Sequence, residues 1–247
     1  MGLRLRGCTA LVTGASSGIG AATADALAAA GARLVLTGRD TTRLDAVARR
    51  TGGRSLPADL TDPAELAQVC DAAREVDLLV ASAGQGWAGE VTAMTASQVA
   101  GLVALNLTAP LQLTRAALPH MRRRRRGHLV FVSSIAAVGV GQEAVYSATK
   151  AGLRAFAAAV RHEAAADGIG VSTLLPAAVQ TPFFDRRGLA YDRRFPRQLD
   201  TTVVAAALLR AVERDSPEVF VPRWLTVAAR VHGALPEVFH RLAGRFG

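Results

Sequence analysis

Lysine is nearly missing from this chain of 247 residues: of its 29 basic residues only Lys150 is not arginine. Asparagine occurs once, at Asn106, and tyrosine and cysteine twice each, at Tyr146 and Tyr191 and at Cys8 and Cys70. Two cysteines in apolar surroundings give neither a disulfide framework nor a zinc-ligand spacing, so both are read as reduced core residues. No cluster of ligand-type side chains points to a metal. Although 50% of the residues are hydrophobic, no apolar run reaches the roughly 18 residues needed to cross a bilayer. Met1 to Gly7 carry Arg4 and Arg6 but lead straight into a strand-like segment, without the apolar stretch of an export signal. The expectation is a soluble, cytoplasmic protein.

What is abundant is alternation. Short apolar runs at Thr9–Val12, Arg33–Thr37, Arg54–Pro57, Asp77–Ala81, His128–Val132, Val171–Leu175 and Val219–Val221 are separated by Ala-rich helical stretches. These stretches are Gly20–Ala30, Thr41–Arg50, Pro63–Arg74, Ala96–Leu118, Ala144–Ala166 and Thr201–Arg214, and Thr61-Asp62 before Pro63 is a helix-start signal. Such a pattern predicts one doubly wound α/β domain over residues 1–247, with seven parallel strands and helices on both faces. The irregular stretch Pro182–Asp200 is long enough to be a lid, and a basic amphipathic tail occupies 222–247. The net charge of +9 raises the question of polyanions. The one long basic run, Arg122–Arg126, falls between a helix and a strand and reads as a solvated connector, so no nucleic-acid partner is expected.

Directly after the first strand stands Thr13-Gly14-Ala15-Ser16-Ser17-Gly18-Ile19-Gly20. A glycine-rich turn between a strand and a helix lets backbone N–H groups and the helix N-terminus approach a pyrophosphate. Glycines alone would be weak evidence; the flanking strand and helix make the turn a dinucleotide loop. About twenty residues on, where NAD-selective proteins place an acid, the second strand ends Thr37-Gly38-Arg39. The planar fork of Arg39 suits a 2′-phosphate, which favours NADP(H) over NAD(H). Asp40 follows it and can be misread as the NAD determinant, and the bland reading of Arg39 is a surface arginine opening a helix.

Tyr146-Ser147-Ala148-Thr149-Lys150 lies in a helical segment, and the i, i+4 spacing sets phenol and ammonium on one face. A free tyrosine has a pKa of about 10, and a fixed positive neighbour favours its ionised form, as acid/base work near neutrality requires. In a chain that otherwise uses arginine, this one lysine meets the need for a compact charge with rotatable donors. Asn106 sits mid-helix, where an amide is a poor helix former. Either it bonds a kinked backbone and holds a water behind Lys150, or it is a polar packing contact.

Together these residues resemble the short-chain dehydrogenase/reductase family from Thr9 to about Val221: the loop Thr13–Gly20, Asp59 after the third strand, Ala83-Gly84 after the fourth, Asn106, Ser133-Ser134, Tyr146 and Lys150. The resemblance implies a Rossmann-type sheet of order 3-2-1-4-5-6-7 and a homodimer or homotetramer. It further implies a cofactor site of Gly14, Ser16, Ser17, Gly18, Ile19, Gly20, Arg39, Asp59, Leu60, Ala83, Gly84, Tyr146, Lys150, Val179 and Thr181. Asp59 and Leu60 would meet the adenine, Lys150 the nicotinamide ribose, and Val179 and Thr181 the carboxamide. Tyr146 would be the acid/base, Ser134 the donor polarising the substrate oxygen, and Asn106 the holder of a relay water. Three departures stand out. Ser82-Ala83-Gly84 replaces Asn-Ala-Gly, so a shorter hydroxyl must brace the sheet. Pro176-Ala177 replaces Pro-Gly. Ser133, not Ser134, lies at the usual spacing before Tyr146; a shortened loop at Ala136–Gln142 explains this, and Ser134 is the choice.

The lid carries Phe183, Phe184, Tyr191 and Phe195 among Arg186, Arg187, Arg193, Arg194 and Arg197. An apolar pocket with a basic rim suits a bulky hydrophobic ketone or secondary alcohol, including one that bears an acid or is attached to a carrier. In the tail, Trp224, Val227, Ala228, Val231, Leu235, Val238, Phe239 and Leu242 recur at near-helical spacing, interrupted by Pro236. That face packs on the protein's own core or a neighbouring subunit, or lies on an anionic membrane. The alternatives to an enzyme are a non-catalytic NADP(H)-binding regulator, which needs no Tyr, Lys, Ser and Asn set, and a membrane-surface protein.

Overall fold

Strands covered on both faces bury every side chain and read as unbroken apolar runs, and each such run of this chain is a strand. The computed structural model describes residues 2–189, 191 and 197–234, with the backbone alone of Ala228, His232 and Ala234. In it β1 (Thr9–Thr13), β2 (Arg33–Gly38), β3 (Arg54–Pro57), β4 (Leu78–Ala81), β5 (His128–Val132), β6 (Gly170–Pro176) and β7 (Glu218–Val221) form one sheet. The order is β3-β2-β1-β4-β5-β6-β7. All neighbours are parallel, with Val12 beside Leu36 and Val80, and Phe131 beside Ala81 and Thr173.

Alternation divides the strand residues between two layers. Ala10, Val12, Leu78, Val80 and Val130 face α1 (Gly18–Ala29), α2 (Thr41–Thr51) and α8 (Thr201–Arg214), which supply Leu27, Leu44 and Leu208. Leu11, Leu79, Leu129 and Phe131 face α3 (Pro63–Ala73), α5 (Ala109–Arg124) and α6 (Ala144–Ala164), which supply Val69, Leu113, Met121 and Leu153. Each fully buried Leu or Phe contributes roughly 1.5–3 kcal/mol. The chain leaves β1 toward β2 and leaves β4 toward β5, on opposite sides, and this divergence opens a crevice at the carboxyl ends of the strands.

One predicted helix is compound. Instead of a single helix Ala96–Leu118, α4 (Ala96–Val103) passes through a π-turn at Ala104–Thr108 into α5, which runs beyond Pro119 to Arg124. Pro119 removes a bond to the carbonyl of Arg115, but both residues are on the exposed face, where water takes that partner's place. The basic run is therefore no connector: most of it is the last turn of α5, where cations suit the helix dipole. Its residues are also paired, Arg122 with Asp167 at 2.9 Å and Arg124 with Asp77 at 2.9 Å, while Arg125 donates to the carbonyl of Ala166 at 3.1 Å. Asp77 is buried and accepts from the Thr9 N–H at 3.0 Å, so a countercharge is what makes its position tenable. Both cysteines are free: Cys8 is buried in one core layer, and Cys70, half-buried, packs against the other.

The lid opens with a four-residue helix, α7 (Phe183–Arg186). Its two ends are pinned side by side, Gln180 N donating to Leu199 O and Leu199 N to Ala178 O, both at 2.8 Å. The lid residues Arg193, Arg194 and Phe195 lie outside the described residues. After the lid and α8, α9 (Leu225–Ala234) begins the tail: Leu225 is buried, but Trp224, Val227 and Val231 are exposed, so the expected apolar face does not pack on the core here. Leu235, Pro236, Val238, Phe239 and Leu242 lie outside the described residues. Among the described residues no helix is long and apolar enough to cross a membrane.

Candidate active site

The glycine loop is built by close approach. Thr13 Oγ1, at the end of β1, accepts from the N–H groups of Ser82 at 3.0 Å and Ala83 at 2.9 Å. The brace expected of the Ser82 hydroxyl is thus supplied at this point from the other strand, by Thr13. A Cβ on Gly14, whose φ is +67°, would stand 2.8 Å from the Ala83 Cα, and one on Gly20 would stand 2.3 Å from the Gly14 carbonyl oxygen. The backbone here fits only without side chains. Ser17 is the N-cap residue of α1 and makes no side-chain cap bond, so the first-turn N–H groups face the cleft. Thr181 touches the loop from across the cleft, its methyl 2.9 Å from where a Gly18 Cβ would be.

At the end of β2 the guanidinium of Arg39 pairs with Asp59 at 3.6 Å and half of its side chain is exposed. The Gln85 amide, turned to satisfy its neighbours, accepts from Arg39 Nη1 at 3.1 Å. Asp40 is committed elsewhere: its carboxylate caps α2 by accepting from Arg43 N at 2.9 Å. Burial works to raise the pKa of Asp59, but hydrogen bonds from Thr61 and then the charge and hydrogen bond of Arg39 outweigh it and hold the carboxyl below its usual range. Leu60 and Ala58, not Asp59, face the cleft.

At the inner end of the cleft, α6 presents Tyr146 and Lys150, both buried. The two serines that follow β5, Ser133 and Ser134, part company. Ser133 Oγ donates to the Lys150 carbonyl at 2.9 Å, inside the fold, whereas Ser134 lines the cleft, accepts from Ala136 N at 3.1 Å and stands near enough to the Tyr146 phenol to favour its ionised form. Lys150 Nζ donates to the Val132 carbonyl at 2.9 Å and stands 5.8 Å from the Tyr146 ring centre. Burial lowers the Lys150 pKa to about 8. Burial also raises that of Tyr146 well above its ordinary value, Ser134 opposing, Glu143 adding to the rise and Arg187 opposing it. Phenol and ammonium thus stand in one site, with the ammonium held by the Val132 carbonyl, and burial disfavours charge on both groups.

Asn106 stands behind this pair on the π-turn, fully buried and off the cleft wall. It accepts from Gln85 N at 2.9 Å and donates to Gln85 O at 2.8 Å and to Thr149 Oγ1 at 3.2 Å. The sequence reading missed Gln85 and Thr149. Thr149 had a signal, a β-branched hydroxyl inside a helix beside Lys150, which bonds back to the Tyr146 carbonyl at 2.7 Å. Gln85 had none. Gly84 lies between these groups, a Cβ there standing 3.2 Å from Asn106 Oδ1 and 3.4 Å from Lys150 Nζ.

The lid forms the other wall. The Phe183 ring lies 5.4 Å from that of Tyr146, and Gly86 gives it room, since a Cβ there would meet Phe183 at 2.5 Å. Phe183 packs on Phe184 and Phe184 on Tyr191, with ring centres 5.5 and 5.0 Å apart. Arg187 forms an ion pair with Glu143, at the start of α6. Backbone bonds stitch three loops over the site, Ala88 N to Arg187 O at 3.1 Å and Gly89 N to Gln142 O at 2.8 Å. The whole cleft, from the glycine loop to the lid, holds about 950 Å³. Gly14, Ser16, Ser17, Gly18, Ile19, Gly20, Arg39, Leu60, Ala83, Gly84, Ser134, Tyr146, Lys150, Val179 and Thr181 all line it. Asp59 and Asn106 stand behind the wall. Among the described residues no group of three or more His, Cys, Asp or Glu is arranged to hold a metal ion.

A glycine-lined crevice at the topological switch point of a parallel sheet defines a dinucleotide-binding α/β protein. Residues 8–191 match the model of the short chain dehydrogenase family, and this chain belongs to it. It is 33% identical over 199 residues to the 3-oxoacyl-[acyl-carrier-protein] reductase of Escherichia coli, covering 78% of this chain and 81% of that one. Among solved structures it resembles a short-chain dehydrogenase from Sphingobium yanoikuyae in complex with NADPH, at 32% identity and a TM-score of 0.84, over 93% of this chain and 95% of that one. A bulky-bulky ketone specific alcohol dehydrogenase from Comamonas testosteroni is similar at 30% identity and a TM-score of 0.80, over 93% and 94% of the two chains. The protein is thus an oxidoreductase of this family.

Proposed function

We propose that this protein is an NADP(H)-dependent reductase of bulky hydrophobic ketones, also able to run the reverse oxidation of a secondary alcohol, and that it works in the cytoplasm as a homodimer or homotetramer. The observation that carries the reading is the buried Tyr146, with Ser134 on the same cleft wall and the aromatic lid on its ring, at the inner end of a cleft that begins at the glycine loop. The cradle fits a dinucleotide: Gly14 and Gly20 leave space that a Cβ would fill, and the first turn of α1 offers N–H donors to a diphosphate. Arg39, at the cleft mouth beside an Asp40 whose carboxylate is engaged in capping α2, suits a 2′-phosphate. Lys150 would hold the nicotinamide ribose, Leu60 with Asp59 behind it the adenine, and Val179 and Thr181 the carboxamide. When bound, the nicotinamide supplies or accepts the hydride.

The remaining work falls to the chain itself. A neutral Tyr146, which burial favours, donates its proton to the carbonyl oxygen of a ketone, and Ser134 donates a second hydrogen bond to that oxygen. Asn106 fixes the π-turn and the Gln85 backbone and so positions a water behind Lys150. The aromatic lid excludes solvent and receives the apolar substituents. The likeness to an NADPH complex and to a bulky-ketone dehydrogenase supports both parts of the reading. The deciding experiment is to follow NADPH and NADH oxidation side by side against a panel of hydrophobic ketones. Turnover with NADPH is the expected result; binding of neither cofactor overturns the proposal.

A further inference from the structure

The substrate end of the cleft is largely apolar, with Ile135, Val138, Phe183 and Phe184 on its walls, and among the described residues the lid cations Arg186 and Arg187 also line it. The Arg187 side chain is only 9% exposed, lies 4.6 Å over the Phe184 ring and donates from Nε to the Leu189 carbonyl at 3.0 Å. An inward, stacked guanidinium is the group by which a site captures a carboxylate. Here a carboxylate is already in place: Glu143, 15% exposed, is ion-paired to it. Glu143 is the N-cap residue of α6, three positions before Tyr146, and its charge acts on the phenol. The chain's own carboxylate thus stands where the acid of a substrate would stand, a short reach from the phenol.

We infer that the Glu143–Arg187 pair is a specificity device: Glu143 occupies the anion position of the substrate pocket, so that the enzyme takes uncharged apolar ketones and rejects ketones carrying a carboxylate near the carbonyl. This rests on the reading of the site as a ketone reductase. An incoming acid must displace Glu143 from a guanidinium it already neutralises, or sit beside it against like charge, and both outcomes are unfavourable. Arg186, the other lid cation on the cleft wall, is exposed, so water screens what it could offer instead.

The test compares butyrophenone with 4-oxo-4-phenylbutanoate, the same aryl ketone with its methyl replaced by a carboxylate, using NADPH as reductant. Wild type should prefer butyrophenone in kcat/KM. Glu143→Gln frees the cation, and the preference should move toward the acid by about tenfold or more; adding Arg187→Gln should undo that shift. A ratio unchanged in a Glu143→Gln protein that melts and binds NADPH as wild type does overturns the inference. So does a wild type that prefers the acid, which decides the matter even if the variant does not fold. A second arm needs no turnover: benzoate and benzamide are titrated against the intrinsic fluorescence of the two tryptophans, of which Trp224 lines the cleft. Benzoate should bind Glu143→Gln more tightly than wild type, with benzamide unaffected, and equal benzoate affinity overturns the inference. Should wild type reduce neither ketone, the ketone-reductase reading fails, and the benzoate arm still judges the role of the pair.

Discussion

Asn106 Nδ2 meets Thr149 Oγ1 at 3.2 Å, and this contact joins the π-turn to the helix that carries Tyr146 and Lys150. The same amide holds both backbone groups of Gln85, at 2.9 and 2.8 Å, so one side chain ties three elements together. The π-turn widens the helix ladder where Asn106 turns inward. Asn106→Ala leaves the Gln85 N–H and C=O without this partner, at roughly 1–3 kcal/mol for each buried group. A loss of about 3 kcal/mol corresponds to a fall in Tm of roughly 6–12 °C for a domain of this size. Thermal unfolding checks it, and kcat should fall by more than NADPH affinity does. An unchanged Tm would show that the amide holds nothing.

Tyr146→Phe separates chemistry from shape. Phenylalanine keeps the ring that packs against Phe183 but removes the hydroxyl from the cleft. Loss of a positioned proton donor typically costs a factor of about 10²–10⁴. Turnover should fall by at least about a hundredfold, while NADPH binding, followed by fluorescence, stays near wild type. Wild-type turnover in this variant would remove Tyr146 from the reaction.

The sheet was legible because its rules are local. A parallel strand covered on both faces must be a short apolar run, and runs such as Leu129–Val132 have no other reading between turn residues. The α5 boundary was not legible, because Pro119 argues for a stop and only the solvent-facing position of Pro119 and Arg115 makes continuation tolerable. The partners of Arg122 and Arg124 depend on Asp167 and Asp77, residues far away in the chain, so their pairing left no trace in composition. The same holds for the site. The glycine loop and the Tyr146–Lys150 spacing are local, whereas Glu143 and Arg187 lie 44 residues apart and only the folded lid brings them together. Spacing favoured Ser133, whose hydroxyl is engaged by the Lys150 carbonyl, whereas Ser134 Oγ accepts from Ala136 N on the cleft wall, and neither partner is visible in the spacing.

Arg39→Gln tests cofactor choice. Its guanidinium sits at the cleft mouth beside Asp59 and Gln85, and the acid that follows it is already occupied in capping α2. A hydrogen bond to a charged group contributes about 1.5–3 kcal/mol, which is roughly 10- to 100-fold in affinity. NADPH dissociation constants should rise by that factor while those for NADH stay the same, as fluorescence titration with each nucleotide would show. Equal losses for both would mean that Arg39 serves the fold and not the 2′-phosphate.

His128 gives the protein a pH-dependent stability remote from the cleft. Its ring is buried at the start of β5, with Nε2 2.9 Å from Ser172 Oγ. Ser172 donates its own proton to the Ser216 carbonyl at 2.6 Å, so it accepts from His128 and fixes the ring proton on Nε2. Nδ1 is buried without a hydrogen-bond partner and faces Gly170, where a Cβ would stand 2.2 Å away. Burial lowers the pKa from 6.5 to about 4, with Asp215 opposing and Arg161 and the N-terminus assisting. Between those two values the unfolded chain binds a proton that the folded chain does not, so the contribution is complete above pH 6.5 and is lost as the pH falls toward 4. The full loss is about 3 kcal/mol. Urea unfolding of wild type and His128→Gln at pH 7.5 and 4.5 measures it, because glutamine can donate to Ser172 yet does not titrate. The variant should lose less stability than wild type over that interval, and an identical loss in both would assign the pH dependence to other groups.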